Sequence, residues 1–387
     1  MSTKRKREDE DKDNTDFQFI LAKDIFLGIN DHIKDKNRAF KIWKSIADKG
    51  HVKSLYAVGR CYKYGEGCEK NMNKVVKYWK LAADKGHVTS QYNIGVCYKF
   101  GEGCEINMQE SFKYWKLSAD NGFSKGQLFT GTCYKYGHGC EKNNTEAFRY
   151  WKLSADNGDI DAKFNVGSCY KYGDGCEKND VEGFKYWKIA ADFGYTVAQF
   201  NIAICYEKGV GCDKSLTDAF KYYKLAADDD DETAQEIVGR YYYLGNGCER
   251  DYTEAHKYYK LAADNGNIIT YPTLGYWYYI GRGCEQNISE AIIYWKLAAR
   301  NGNPYAQLKF NFLNKFTLTD DVKKSVIEKA IEDQKVCSIT LNPITSTNTI
   351  VTNCKHCFGY EAMFQYFNPI GQDQDDLKLC PLCRAQL

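Results

Sequence analysis

The sequence predicts an all-α fold, a right-handed superhelical solenoid of 36-residue helical hairpins, followed by a small α+β domain of different character. Three observations predict it. A glycine recurs every 36 residues at Gly65, Gly101, Gly137, Gly173, Gly209, Gly245 and Gly281, with a second glycine two residues later each time, from Gly67 to Gly283. An aromatic landmark keeps the same step at Trp43, Trp79, Trp115, Trp151, Trp187, Tyr223, Tyr259 and Trp295. The rhythm then stops near Val336, and five cysteines fall within 47 residues.

A chain of 387 residues exceeds one ordinary compact domain, so several units or a repeat array are expected. Lys+Arg is 53 and Asp+Glu is 51, a net charge of +2, which lacks the basic excess that nucleic-acid binding leaves. No apolar run reaches the roughly 18 residues of a membrane span. Residues 1–16 are charged and polar, without the apolar core of a signal peptide. They predict a disordered tail and a protein kept in a reducing compartment, the cytoplasm or the nucleus, and not secreted. Lys4-Arg5-Lys6-Arg7 has the composition of a nuclear import signal. The acidic run from Glu8 to Asp13 beside it fits a disordered tail equally.

Within one unit, Ala162 to Tyr172 reads as a first helix, Gly173-Asp174-Gly175 as the turn and Val181 to Phe193 as a second helix. Glycine reaches the backbone angles of a tight bend at little cost. Ala147, Trp151 and Ala155 fall four apart and share one face of a second helix. Gly167 sits near the middle of a first helix, where it costs about 1 kcal/mol of propensity. Close approach of the neighbouring helix at the Ala147-type position supplies the reason. A lone hairpin of this size cannot bury its apolar face, whereas stacked hairpins can. The array is expected over 37–310. Residues 17–36 form an N-terminal capping helix, and 311–335 a C-terminal one, opened by Thr319-Asp320-Asp321 with the apolar stripe Val322, Val326, Ile327, Ala330 and Ile331.

The unit EAFRYWKLSADNGDIDAKFNVGSCYKYGDGC resembles a Sel-1-like repeat, a relative of the tetratricopeptide repeat. The family pattern places a small residue and Trp or Tyr in the second helix, then Ala-Ala-x-x-Gly, then Ala-x-x-x-Leu-Gly, then Tyr-x-x-Gly-x-Gly. The resemblance implies a scaffold that holds another protein, here an unknown target, and it implies no catalysis in the repeats.

Other residues keep the step. Cys61/Cys68, Cys97/Cys104, Cys133/Cys140, Cys169/Cys176 and Cys205/Cys212 pair a helix cysteine with a loop cysteine seven later. Tyr241 and Trp277 replace the helix partner while Cys248 and Cys284 keep the loop position. A disulfide or metal ligand cannot be replaced by a ring, but a small buried hydrophobe can. Lys44, Lys80, Lys116, Lys152, Lys188, Lys224, Lys260 and Lys296 form a row that either attracts an acidic partner or is a solvated face with Asp84 or Asp120 as neutraliser. Tyr62, Tyr64 and Tyr276 to Tyr279 either line a peptide groove or pack between repeats. His51 and His87, at the turn after the second helix, are expected in solvent. No phosphate loop, serine-centred elbow or paired-acid constellation is present.

At the C-terminus, Cys354-Lys355-His356-Cys357 and Cys380-Pro381-Leu382-Cys383 are two ligand pairs with the spacing of a tetrahedral zinc site. A segment of about 50 residues is too small to be stable on its own core, so a metal staple is expected. The four ligands are Cys354, His356, Cys380 and Cys383, or the set with Cys357 in place of His356. Residues 336–387 resemble a RING-type ubiquitin-ligase domain and, more closely, its one-zinc relatives, the SUMO-ligase RING and the U-box. The resemblance rests on Cys337-Ser338-Ile339-Thr340, Pro343, Cys354-x-His356, Ala362 to Phe367 and Cys380-Pro381-Leu382-Cys383-Arg384. Thr340 stands where a full RING has a second cysteine, which removes one of its two zinc sites. The resemblance favours His356 as the ligand and implies that Ile339, Pro381 and Leu382 contact a ubiquitin- or SUMO-conjugating enzyme. It makes Arg384 the cation bridging that enzyme and its attached modifier. The whole then acts as an E3 ligase or ligase adaptor. The alternative is a non-catalytic scaffold whose zinc domain is only structural.

Overall fold

The structure, a computed structural model, describes residues 2–316, 349–351 and 357–359. The chain divides into two units, residues 1–229 and 230–387. In the first, α1 (Ser2–Leu27) pairs with α2 (Lys36–Asp48), α3 (Val52–Tyr64) with α4 (Met72–Asp84), and α5 (Val88–Phe100) with α6 (Met108–Asp120). Then α7 (Ser124–Tyr136) pairs with α8 (Asn144–Asp156), α9 (Ile160–Tyr172) with α10 (Asp180–Asp192), and α11 (Thr196–Lys208) with α12 (Leu216–Asp228). In the second unit, α13 (Glu232–Leu244) pairs with α14 (Tyr252–Asp264). The 3-10 turn Ile268–Thr270 leads into α15 (Tyr271–Ile280), which pairs with α16 (Ile288–Arg300), and α17 (Pro304–Phe316) follows. Two short strands, β1 (Thr349–Val351) and β2 (Cys357–Gly359), pair antiparallel with Ile350 opposite Phe358.

Local chemistry sets the ends of each helix. Asn71, Asn107, Asn143, Asn179 and Ser215 open second helices, each accepting a hydrogen bond from the backbone N–H three residues on. Each bond satisfies a donor that the first turn leaves without a helical partner. The first helices end on a left-handed glycine. At Gly65 φ is +73°, and the N–H groups of Gly65 and Glu66 both donate to the Cys61 carbonyl. The second glycine of each turn has a different task. A Cβ at Gly67, Gly103, Gly139, Gly175 or Gly211 would run into the carbonyl of Lys36, Met72, Met108, Asn144 or Asp180, at the start of the preceding second helix. One glycine turns the chain and the other lets it touch the hairpin before.

The glycine inside the first helix is explained by the tryptophan landmark. A Cβ on Gly167 would lie 2.5 Å from Cδ1 of the Trp187 indole. Gly59, Gly95 and Gly131 meet Trp79, Trp115 and Trp151 in the same way. The indole fills the missing Cβ, and its Nε1–H donates to a first-helix carbonyl 23 residues earlier. The bonds are Trp79 to Tyr56 (3.2 Å), Trp115 to Tyr92 (3.1 Å), Trp151 to Leu128 (3.1 Å) and Trp187 to Phe164 (3.2 Å). The expected approach at the Ala147-type position is also present, since the same Cβ on Gly131 would be 3.0 Å from the Ala147 carbonyl. Where the indole is lost, the glycine is no longer strictly kept: Ala203 holds its position in the hairpin that carries Tyr223, while Gly239 remains and a Cβ on it would meet the smaller Tyr259 ring at 3.1 Å.

A second aromatic row joins hairpins. Phe112, Phe148 and Phe184 sit edge-on to Tyr134, Tyr170 and Tyr206, with centroids 5.2–5.3 Å apart. In the second unit His256 takes the phenylalanine's place, edge-on to Tyr278 at 4.8 Å. Its Nε2 is buried without a hydrogen-bond partner. Burial first, and the Lys260 charge second, push the imidazole below its ordinary pKa of 6.5.

Two expectations change at the N-terminus. Residues 1–16 do not form a disordered tail, because α1 is helical from Ser2. Lys, Arg and Glu are good helix formers, and the apolar run from Phe17 onward supplies the packed turns from which a helix extends. Residues 17–36 are not a lone cap either. α1 and α2 form a hairpin of the common design, in which Gly28 (φ +73°) and Ile29 both donate to the Asp24 carbonyl. Its connecting loop is one residue longer than the others, with Asn30 and Asp31 at positive φ. Ala22 takes the glycine position there, and the bond from Trp43 to the Phe19 carbonyl stretches to 3.3 Å. At the other end, α17 runs past the expected boundary at 310 to Phe316. The expected helix Val322–Gln334 lies outside the described residues.

Gly167→Ala is expected to destabilise the protein by about 1–3 kcal/mol in urea unfolding, against a propensity gain of about 1 kcal/mol, because the added methyl overpacks the indole. Adding Trp187→Tyr, which recreates the Ala203–Tyr223 pairing, should recover part of the loss. A second prediction concerns pH. The folded-state pKa of His256 lies below its unfolded value, so its contribution to stability is present above pH 6.5 and is lost as pH falls from there through the folded pKa. His256→Phe should raise the melting temperature, by a margin that widens on going from pH 7 to pH 5 in calorimetric scans.

Candidate protein-binding surface

The lysine row is engaged within the stack. Lys80 Nζ donates to Asp84 Oδ2 at 3.0 Å and to the Tyr114 hydroxyl at 2.9 Å. The Tyr114 hydroxyl donates in turn to Asp84 Oδ1 at 2.7 Å. Tyr114 belongs to the next second helix, so the cluster crosses between hairpins. Tyr150 with Asp120 and Tyr222 with Asp192 repeat it, each at 2.7 Å. The bonds to Tyr114 first and Asp84 second raise the Lys80 pKa above its ordinary value. Lys44, Lys116, Lys152, Lys188 and Lys260 also pair with the aspartate four residues on. These lysines are neutralised ties and do not make a free basic row.

The repeat cysteines are packing groups with free thiols. Cys61, Cys97, Cys133, Cys169 and Cys205 are buried, while their loop partners are half-buried. Burial pushes the Cys61 thiol up to about 12 and the Cys205 thiol to about 11. Thiols held neutral in this way are poor nucleophiles and poor metal ligands. Tyr241 and Trp277 occupy the same buried place in the second unit.

What faces solvent differs from hairpin to hairpin. On α3 the outward stripe is Lys53, Ala57, Arg60 and Tyr64, and on α5 it is Thr89, Asn93, Val96 and Phe100. On α7 the same positions hold Lys125, Phe129, Thr132 and Tyr136, and on α9 Asp161, Asn165, Ser168 and Tyr172; of these Phe129 also packs on Trp115, and Ser168 accepts from the Trp187 indole. The last ring of each stripe is well exposed: Tyr64 56%, Phe100 59%, Tyr136 64% and Tyr172 70%. Tyr62, one turn position away, is buried and stacks on Tyr78. The packing reading therefore holds for Tyr62, while Tyr64 is left exposed at the end of its helix. Side chains that hold the stack repeat, and side chains along the outward stripe vary.

At the first hairpins the stripe deepens into a cleft of about 330 Å³. Phe19, Phe26, Trp43 and Tyr56 form its aromatic lining, with Lys23 and Arg60 beside them. Aligned on Gly28 and Gly65, Lys23 and Arg60 hold equivalent positions on α1 and α3. Sequence reading missed this cleft because the longer loop of the first hairpin puts α1 out of the 36-residue register. His87 also lines it, and it is not the solvent-facing residue expected. Its Nδ1 accepts from the Ser90 N–H at 3.2 Å as a helix cap, and its ring packs at a tilt against Tyr56 with centroids 4.7 Å apart. Burial pushes its pKa below the ordinary value. His51 bonds the Ser54 hydroxyl at 2.7 Å and Asp16 at 3.2 Å.

Of the expected zinc ligands, Cys354, His356, Cys380 and Cys383 lie outside the described residues. So do Ile339, Pro381, Leu382 and Arg384. The alternative ligand Cys357 is the first residue of β2, opposite Val351. Among the described residues no cluster of three His, Cys, Asp or Glu side chains is placed to hold a metal ion. None of the described helices is long and apolar enough to cross a membrane.

A family profile described as Sel1 repeat matches residues 16–51, 52–87, 88–123, 124–159, 160–195, 196–231, 233–267 and 274–303. Its first match covers the hairpin of α1 and α2. Among solved structures, the chain is similar to a protective antigen of uropathogenic Escherichia coli that displays an SLR fold. The TM-score is 0.72 at 25% identity, over 86% of this chain and 72% of that one. It is also similar in fold to a Sel1 repeat protein from Oxalobacter formigenes, with a TM-score of 0.60 at 23% identity, over 81% of this chain and 90% of that one. No curated protein matches the chain.

Proposed function

The chain belongs to the Sel1 repeat family, and from that premise we propose that its solenoid holds a target protein while residues 336–387 bring a ubiquitin- or SUMO-conjugating enzyme beside it. The scaffold part is carried by one observation. The residues that stack the hairpins repeat along the chain, whereas the outward stripe of the first helices changes from Lys-Ala-Arg-Tyr to Asp-Asn-Ser-Tyr. A stack that contacts only its neighbours leaves such a stripe free to take any chemistry, and extended repeat surfaces are used for binding in this way.

The transfer part rests on the C-terminal residues. Cys354, His356, Cys380 and Cys383 are soft and borderline donors that suit zinc, with Cys357 as the alternative to His356. β1 and β2 bracket Cys354 and His356 in sequence, which supports a small domain with some β structure there. The ion would be structural, tying two loops of a segment with little core of its own. Ile339, Pro381 and Leu382 would offer the apolar contact to a conjugating enzyme. Arg384 would hold the attached modifier in its reactive orientation. Catalysis of this kind is positioning: no side chain here attacks the thioester. Tethering the target and the charged enzyme on one chain raises their effective concentration.

Full-length protein mixed with activating enzyme, a panel of conjugating enzymes, ATP and either ubiquitin or SUMO is expected to build modifier chains. Ile339→Ala and Arg384→Ala should each abolish that transfer without changing the helical circular dichroism. Zinc-loaded protein that transfers neither modifier with any conjugating enzyme would leave the non-catalytic scaffold as the function.

A further inference from the structure

The cleft between α1 and α3 differs from the rest of the first unit in charge as well as depth. Lys23 and Arg60 are exposed, one hairpin apart, and neither has an ion-pair partner among the described residues. Every other charge at the cleft is matched. Lys53 sits 3.7 Å from Asp16, and Glu66 sits 2.8 Å from Lys36. Val96, Thr132, Ser168 and Ile204 occupy the Arg60 position in the following hairpins of the first unit, so those hairpins stack without a cation there; Arg240 takes the position again in the second unit. Phe19, Trp43 and Tyr56 line the same cleft as the two cations, and Ile20 and Leu27 are further exposed apolar side chains of α1. Two unmatched positive charges over an aromatic floor complement a ligand with the opposite charge and an apolar anchor.

We infer that this cleft docks a short segment of a partner protein in which a bulky apolar side chain stands next to a carboxylate. The apolar side chain enters between Phe19, Trp43 and Tyr56, and the carboxylate lies over Lys23 and Arg60. Arginine's planar fork suits a bidentate carboxylate, and Lys23 adds a point charge beside it. A volume of 330 Å³ is at the small end of ligand pockets, which run from about 300 to 1,000 Å³, and suits one or two side chains better than a folded surface. The inference rests on the scaffold reading above and names what the first hairpins select.

The test is a displayed library of random linear peptides, selected on the full-length chain. Enriched peptides are then titrated against native protein and against Lys23→Glu/Arg60→Glu. Both side chains are exposed, so the variant should fold, and its thermal melt checks that; Lys23→Gln/Arg60→Gln serves if the reversal perturbs folding. The expected result is a motif pairing an aromatic or large aliphatic residue with a neighbouring Asp or Glu. Its binding should weaken by about tenfold or more in the variant and fall with added salt. Enriched peptides that bind the variant as well as native protein, or that carry basic residues in place of acids, overturn the cleft assignment while leaving a peptide-binding scaffold. A library that yields no enrichment overturns both.

Discussion

The stack depends on one contact, an indole lying in the space of a missing Cβ. Because Gly59, Gly95, Gly131 and Gly167 carry no side chain, the indole of the paired second helix reaches the backbone and bonds a carbonyl there. This fixes both the distance between the two helices and their relative register. Glycine weakens a helix by about 1 kcal/mol, and a large buried ring with a satisfied N–H offsets that many times over. The contact also shows what happens when it fails. In the second unit, where Pro272 and a 3-10 turn begin the first helix, the Trp295 indole still fills the Cβ space of Gly275 at 2.5 Å, but its buried Nε1 has no hydrogen-bond partner, so it is the bond and not the packing that is lost.

Once that contact sets each hairpin, the joints between hairpins follow. The second turn glycine lets a loop touch the carbonyl at the start of the preceding second helix. The lysine, aspartate and tyrosine cluster ties second helix to second helix, with a polar seal at the edge of an apolar interior. The edge-on phenylalanine and tyrosine rows fill that interior. All three use residues that recur every 36 positions, so the outward positions of the first helices can vary from hairpin to hairpin, even where one of them, as Phe129 does against Trp115, adds a local contact. Structure and recognition occupy different faces of the same short helix.

Much of this was legible in the sequence. The 36-residue glycine step gave the hairpins and their turns directly. Replacement of the helix cysteine by Tyr241 and Trp277 was enough to identify a packing group, since only an apolar place accepts thiol and ring alike. Three features were not legible. The aspartate half of the lysine cluster was legible from its spacing of four, but the tyrosine half was not, because that partner lies in the next hairpin, where sequence spacing gives no contact. His87 looked exposed because a turn position says nothing of a ring packed on Tyr56 from the hairpin before. The cleft at Lys23 and Arg60 was hidden by a single extra loop residue, which shifts α1 out of register and makes a full hairpin read as a cap.

The indole contact is the part of this account on which all else stands, and hydrogen exchange of the tryptophan ring N–H groups reads it directly. In protein labelled with 15N at the indoles, the Nε1–H signals of Trp79, Trp115, Trp151 and Trp187 should exchange far more slowly than free tryptophan, as buried donors to a helix carbonyl do. Exchange of these four at the free rate, in protein whose helical content is intact, would contradict the contact and the stacking derived from it.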